Sequence, residues 1–262
     1  MLRRLLLRAL PKGWRDALVQ VFLWGLADLL YEGVRGLVTG RGGVAVANAQ
    51  SVVSIERSLG IFWEPHVQRL VVGDHDLIVA ANWLYVNIQF TVNAVFLAIL
   101  YAYRNEIFYF VRNMFFVAMG IALVVHLAIP VAPPRMLPQF GFVDTVRQVA
   151  HINQDSGAVS LFVNPYAAVP SMHMCFALLV GVIGWRLVRR RWARGLFAAY
   201  PLLVLVIIVI TANHFLLDAV AGAVVALLAA IAAQYVMARM RPAAWAWSLT
   251  APEPAPAAAK SR

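Results

Sequence analysis

Three short patches in an otherwise apolar chain carry residue types able to do nucleophilic and proton-transfer chemistry. One is Thr211-Ala212-Asn213-His214-Phe215-Leu216-Leu217-Asp218. His214 and Asp218 are four apart, a spacing that sets both on one helical face, one turn from each other. Asp218 falls inside an apolar run, where an unpaired carboxylate is costly. Pairing with a ring nitrogen of His214 offsets that cost, fixes the tautomer and raises the basicity of the second nitrogen.

The second patch is Asn164-Pro165-Tyr166-Ala167-Ala168-Val169-Pro170-Ser171-Met172-His173. Pro170 is placed to begin a helix, which leaves the amides around Ser171 to His173 without intrahelical acceptors. With the Ser171 hydroxyl they would form an anion site beside His173. The third patch, Pro130-Val131-Ala132-Pro133-Pro134-Arg135-Met136-Leu137-Pro138, reads as a stiff extended segment presenting one guanidinium. The planar fork of Arg135 can hold two oxygens of a tetrahedral oxyanion. Plainer roles stand beside these: Arg135 as a lipid-headgroup contact, His173 as an interfacial polar residue, and His214 with Asp218 as a structural tie between helices. Neither histidine has further His, Cys or carboxylate partners at metal-binding spacing, so no metal or other cofactor is expected.

The elements that must position these patches are membrane helices. Of 262 residues, 62% are hydrophobic and 13% charged, and the mean hydropathy is +0.75, too apolar for a water-soluble domain of this length. The fold class expected is all-α, a polytopic bundle of six transmembrane helices near residues 17–37, 77–103, 108–129, 173–188, 196–212 and 215–237. Val44 to Gly73 has mixed polarity and reads as amphipathic helices lying on the membrane surface between the first two spans. The first run continues through Asp28, Glu32 and Arg35 without a small-residue cleavage site, and is read as an uncleaved span. Glu32 and Arg35 are expected to neutralise one another. Glu56, Glu64 and His66 are left open, with a headgroup site above the membrane as one reading.

The organisation that follows is a basic N-terminus over 1–16, a membrane domain over 17–237 and a tail over 238–262, disordered from Ala251 onward. With the N-terminus inside, sixteen Lys and Arg fall on inside segments and five on outside ones. Both termini are therefore expected in the cytoplasm, with all three patches at the extracytoplasmic face of the plasma membrane. The charge of +10 collects at helix ends instead of on a face interleaved with aromatics, which argues against nucleic acid as a partner. A single cysteine, Cys175, excludes a disulfide within the chain.

Taken together, the patches resemble the type 2 phosphatidic acid phosphatase superfamily of integral membrane enzymes. Its pattern has three parts: Lys-x6-Arg-Pro, Pro-Ser-Gly-His and Ser-Arg-x5-His-x3-Asp. The second is matched by Pro170-Ser171-Met172-His173, and the third by His214 and Asp218. Departures are Ala128 at the Lys position, Met136 after Arg135, Met172 for Gly, and Ile207 and Ile208 at the Ser-Arg positions. In these stretches the chain is similar to the branch that includes inositol phosphorylceramide synthase, whose members move a phospho-headgroup from a phospholipid to an alcohol.

The resemblance implies His214 as a nucleophile oriented by Asp218, forming a phosphohistidine, and His173 as acid and base. It implies Arg135, Ser171, Met172 and Asn213 at the phosphate. The implied partners are a phospholipid or polyprenyl phosphate, an alcohol or water acceptor, and the bilayer. The lost cations favour a singly charged phosphodiester over a monoester, although Arg35, Arg57 or Arg147 could supply a second cation. A lipid phosphatase using water is the alternative within this chemistry. A transporter or flippase is the non-enzymatic one, against which stand the lack of an internal repeat and the collection of the polar residues at one face instead of the midplane.

Overall fold

Long apolar runs fold as helices because, in hydrocarbon, each backbone amide must be satisfied within its own segment. The computed structural model describes residues 10–36, 39–146 and 166–240. The expectations for Arg3, Arg4 and Arg8, for Arg147, for Asn164 and Pro165, and for the tail from Ala251 lie outside the described residues, as does the pairing of the Glu32 and Arg35 side chains. Among the described residues the chain is helical, with one isolated bridge, Val131 to Ala167, standing for all extended pairing.

Eight helices are used below: α1 Gly13–Gly36, α2 Gly42–Ser58, α3 Glu64–Val71, α4 His75–Tyr103, α5 Asn105–Ala128, α6 Met172–Leu187, α7 Arg191–Ile210 and α8 Leu216–Ile231. A π-helical turn over Ala232–Met237 prolongs α8. Four of them are long and apolar enough to cross a membrane: α4, α5, α7 and the continuous Leu216–Met237. The chain is thus an integral membrane protein. Helix α6 is apolar but has 16 residues, about 24 Å at 1.5 Å per residue. Helix α1 has 24 residues, enough length, but carries Arg15, Asp16, Asp28, Glu32 and Arg35.

Helix α1 runs parallel along α5, anchored at both ends. Near its start, Asp16 accepts hydrogen bonds from Tyr101 and Tyr109 at 2.8 and 2.7 Å, and Arg112 donates to Gln20. Near its end, the Tyr31 hydroxyl meets His126 Nδ1 at 3.3 Å. Between these anchors Leu18, Val21, Phe22, Leu26 and Leu29 stay exposed, as lipid-facing side chains would be.

Helices α6 and α7 pack closely because α6 offers glycines where α7 is widest. Pro201, inside α7, cannot donate to the Phe197 carbonyl four residues earlier. Gly181 lies against that carbonyl, where an added Cβ would be 2.8 Å from the oxygen, and Gly184 receives the Phe197 ring. Gly222 does the same for α8, since a Cβ there would sit 2.3 Å from the Ser171 carbonyl oxygen. Small residues at these crossings let the backbones approach.

Above the ends of α5, α6 and α8 sits a cap formed by α2, α3 and the 129–146 segment. Its apolar centre includes Ala45, Ala49, Val53, Leu137, Phe142 and Phe215. Backbone bonds fasten it: Ala132 N–H donates to Ala45 at 3.0 Å, Val131 N–H to Tyr166 at 2.9 Å, and the Asn48 amide to Pro130 at 2.8 Å. The proline-rich segment is not extended throughout. It makes 3-10 turns at Pro134–Met136 and Pro138–Phe140, because proline at the first turn position forfeits only an amide that would go unbonded.

Candidate functional site

The site begins where α7 ends. Thr211 is the last α7 cap and Ala212 adopts the left-handed region at φ 50°. The Asn213 N–H returns to the Ile208 carbonyl at 3.1 Å and the Ala212 N–H to Val209 at 2.9 Å, the two bonds of a Schellman ending. An alanine there bears strain that glycine would not, at the position next to Asn213 and His214.

His214 precedes α8 and does not lie on its face. Asp218 still reaches it, because Asp218 is the third residue of α8 and turns back toward the entry of the helix. Its Oδ2 accepts from the Phe215 N–H at 2.9 Å and lies 3.4 Å from His214 Nδ1. The i,i+4 contact is therefore a product of helix capping and not of helical periodicity. A closer partner of Nδ1 is the Ala168 carbonyl at 3.0 Å. With Nδ1–H donating to these oxygens, the lone pair of the ring is on Nε2.

The next two amides of α8 also end on carboxylates. Leu216 N–H donates to Glu64 and Leu217 N–H to Glu56, each at 2.8 Å. Glu56, Glu64 and Asp218 all have no exposed surface. The reading of Glu56 and Glu64 as headgroup-lining residues is corrected: both point inward and fix the helix that carries the site, while His66 is exposed. Burial, then the neighbouring Glu64 and Asp218, push the Glu56 carboxyl up to about 9 against the opposite pull of the Leu217 amide. That shift favours the neutral acid at Glu56, which would keep three adjacent carboxyl groups from being three charges.

His173 stands on the first turn of α6. The helix begins at Met172 with Ser171 as its cap, two residues later than a Pro170 start would give. Ser171 Oγ accepts from Met174 N–H at 3.3 Å, and Ser171 N–H donates to the Asp218 carbonyl at 3.0 Å. Those groups join α6 to α8, so the Ser171 amide is not part of an open anion site. The His173 ring stacks on Tyr85 at 4.4 Å, its Nε2 is 3.1 Å from the Tyr85 carbonyl, and its centroid is 5.5 Å from that of His214.

Arg135 is brought to the same place by the backbone. Its N–H donates to Ala212 at 2.9 Å, its Nη1 to Asn213 Oδ1 at 2.9 Å, and its Nε lies 3.6 Å from Asp144 Oδ1. Asn213 is held in turn by Thr211 Oγ1 at 2.8 Å. Arg135, Ser171, Met172, His173, Asn213, His214 and Asp218 therefore converge at one end of the bundle. Of the other cations considered, Arg57 lies over the Phe62 and Phe140 rings, while Arg147 and the Arg35 side chain fall outside the described residues. Ile208, at the family's arginine position, is fully buried among Val204, Ala177 and Ala219.

Tyr85, Asp144, His126 and the Ala168 carbonyl were not legible as site residues. His126 meets both Tyr31 and the Pro170 carbonyl, the latter at 3.4 Å. The polar or aromatic character of Tyr85 and His126 inside apolar helices was the available signal.

A helical membrane protein with two facing histidines, one backed by a buried aspartate, and a buried arginine at one end of its bundle is the class these features define. The family model of the PAP2 superfamily matches residues 50–232, more than half the chain and the whole set of converging residues. The chain belongs to the PAP2 superfamily, whose chemistry is of the lipid phosphatase and phosphotransferase type. Neither a curated protein nor a solved structure matches it.

Proposed function

We propose that the protein transfers a phospho-headgroup from a lipid phosphodiester to an alcohol through a phosphohistidine on His214, with six membrane spans and the site at the extracytoplasmic face. The observation that carries this reading is the pair of histidine rings 5.5 Å apart, one of them held at Nδ1 by Ala168 and Asp218. His214 Nε2 attacks phosphorus as the bond to the lipid alkoxide breaks. His173 gives its proton to that alkoxide. In the second half His173 takes the proton of the acceptor hydroxyl, whose oxygen attacks phosphorus as the P–N bond breaks. Arg135, held by Asn213, stabilises charge on the nonbridging oxygens with the Met172 and His173 amides at the start of α6.

Helix α1, anchored to both ends of α5, supports a membrane-spanning role, and α6 then completes six. Helices α2 and α3 cover the site end, consistent with a place at the membrane surface. The arginine-rich ends at Arg104, Arg186–Arg194 and Arg239 are the opposite ends of the same helices, which is what an extracytoplasmic site requires.

The test is product analysis with purified protein and labelled lipids. An intact phospholipid should be consumed faster than phosphatidic acid, with diacylglycerol released when an alcohol is supplied, and an acid-labile phospho-adduct should be trapped on His214. Faster phosphate release from a lipid monoester, independent of alcohol, would return the protein to phosphatase chemistry. Absence of any phospho-adduct or turnover would remove the enzyme reading.

A further inference from the structure

Away from the converging residues, an apolar groove of about 540 Å³ lies between α5, α6 and α8. Helices α6 and α8 both start at the site and run away from it side by side. They meet at Gly222, which lies against the Ser171 carbonyl, and the groove opens between them from Ala223 onward. Ala223, Ala226 and Ala230 follow one another at helical spacing on α8, and give the groove depth because none has a side chain beyond Cβ. Its far end, opposite the histidine pair, is bordered by Arg186, Gln234 and Tyr235. The last two belong to the π-helical turn over Ala232–Met237, a form frequent at functional sites.

Length and charge together specify the occupant. From Ala223 to Tyr235 the helix rises about 18 Å at 1.5 Å per residue, close to one leaflet's share, about 15 Å, of the hydrocarbon core. Exposed Trp185 and Trp192 stand with Tyr235 at the same end, as aromatic side chains do at a membrane–water boundary. Arg186 is therefore at headgroup depth. From Met172 to Met240 the sole acidic residue is Asp218, at the site, so no carboxylate of α6, α7 or α8 neutralises Arg186 or its neighbours Arg189, Arg190 and Arg191. Glu106, at the start of α5, pairs with Arg104, and Arg194 lies over the Trp185 ring and donates to the Val188 carbonyl. Such a mouth attracts a phosphate of net negative charge and offers no partner to an ammonium.

We propose that this groove binds one anionic phospholipid of the leaflet opposite the site, with an acyl chain between α6 and α8 and its phosphate on Arg186, assisted by Gln234 and Tyr235. The lipid is a resident ligand and not a substrate, since its phosphate lies at the other end of the bundle from His173 and His214. It fills the space where α6 and α8 part, and stabilises the folded bundle by mass action. The inference stands on the groove and its mouth, and needs neither the transferase reading nor the proposed topology.

The experiment uses the full chain, stripped of lipid in detergent, with phosphatidylglycerol and phosphatidylcholine of the same acyl composition as probes. Native mass spectrometry should retain one phosphatidylglycerol per chain where phosphatidylcholine leaves none, and phosphatidylglycerol alone should raise the unfolding temperature. Arg186→Gln removes a charge-assisted hydrogen bond and should weaken retention about tenfold, whereas Arg189→Gln, outside the groove, should change it little. Ala223→Leu and Ala230→Leu, which put side chains into the groove, should lower it as far as Arg186→Gln does. His214→Ala should keep it, which separates the groove from a lipid held at the histidines whether or not the protein turns lipid over. Arg186 is exposed, so its variant carries the test where a leucine variant unfolds. Equal retention of both lipids, equal losses in Arg186→Gln and Arg189→Gln, or a loss confined to His214→Ala would overturn the proposal. A loss in Arg186→Gln that folded leucine variants do not share would put the lipid on the outer surface and overturn it as well.

Discussion

Replacing Glu56 by Gln tests the carboxyl cluster that holds α8. The Leu217 N–H donates to Glu56 Oε1 at 2.8 Å, and the Oε2 atoms of Glu56 and Glu64 are buried without an N–H or O–H partner among the described residues. A proton shared between the two carboxyl groups satisfies both, in keeping with a Glu56 carboxyl pushed up to about 9 by burial and by Glu64. Gln keeps the acceptor for Leu217 and supplies an N–H in place of that proton. The native state retains a proton that the unfolded chain releases near its ordinary value of 4.5, so wild-type stability should fall as pH rises from about 4.5 to about 9. The slope for one proton is at most about 1.4 kcal/mol per pH unit, so from pH 6 to pH 8 the ceiling is about 3 kcal/mol. Glu56→Gln should be near neutral at pH 6 and more stable than wild type at pH 8. Glu56→Leu, which strands the Leu217 amide and Glu64, should lose about 1–3 kcal/mol at pH 6, a deficit that narrows toward pH 8 as wild-type stability falls. Unfolding in mild detergent followed by circular dichroism across this range makes the comparison. Parallel wild-type and Gln curves would refute the reasoning by showing Glu56 ionised in the folded protein.

Three further outcomes are expected. His214→Ala should abolish turnover, and Asp218→Asn should slow it by orders of magnitude while lipid binding persists, read as kcat and KM separately; full activity in either removes that residue from the mechanism. A cysteine at exposed Gln139 should react with a membrane-impermeant maleimide in whole cells and one at Arg189 should not, against a buried Cys175 background; the reverse pattern inverts the topology. Gly222→Ala should cost about 1–3 kcal/mol and most of the activity, since its Cβ would meet the Ser171 carbonyl at 2.3 Å and force α8 from α6; an unperturbed variant would show that this approach does not set the histidine spacing.

Helix positions were legible because composition alone marks apolar runs of spanning length, and α4, α5, α7 and α8 fall within a few residues of where those runs lie. Convergence of Arg135 with His214 was legible only through resemblance, since 78 residues separate Arg135 from Asn213 and a backbone bond to Ala212 closes the gap. What the sequence concealed is local geometry. The spacing of His214 and Asp218 is the same whether it comes from a helical face or from a cap, and only the start of α8 at Leu216 distinguishes them. Glu56 and Glu64 looked like the polar side of surface helices, because periodicity cannot say which side of a short helix meets protein. Their inward placement becomes intelligible once the amide of the Phe215 cap and the first two amides of α8 need acceptors inside a buried junction.

The same junction bears on which phosphate ester the site prefers. In the proposed mechanism Arg135 meets the phosphate, but Asp144 lies 3.6 Å from its Nε and offsets part of its charge. At the family's arginine position Ile208 is sealed in an apolar cluster, and its carbonyl accepts from both Asn213 and His214, at 3.1 and 3.2 Å. That residue has become part of the scaffold of the His214 turn, so a second cation there would bury a charge among aliphatic side chains. Ala128, at the lysine position, is exposed and leaves no charge in its place. On the proposed reading a dianionic monoester would be met by one partly neutralised guanidinium, whereas a diester would bring it a single charge. The proposed preference for a diester thus rests on a single guanidinium beside the histidine pair and on the apolar burial of Ile208.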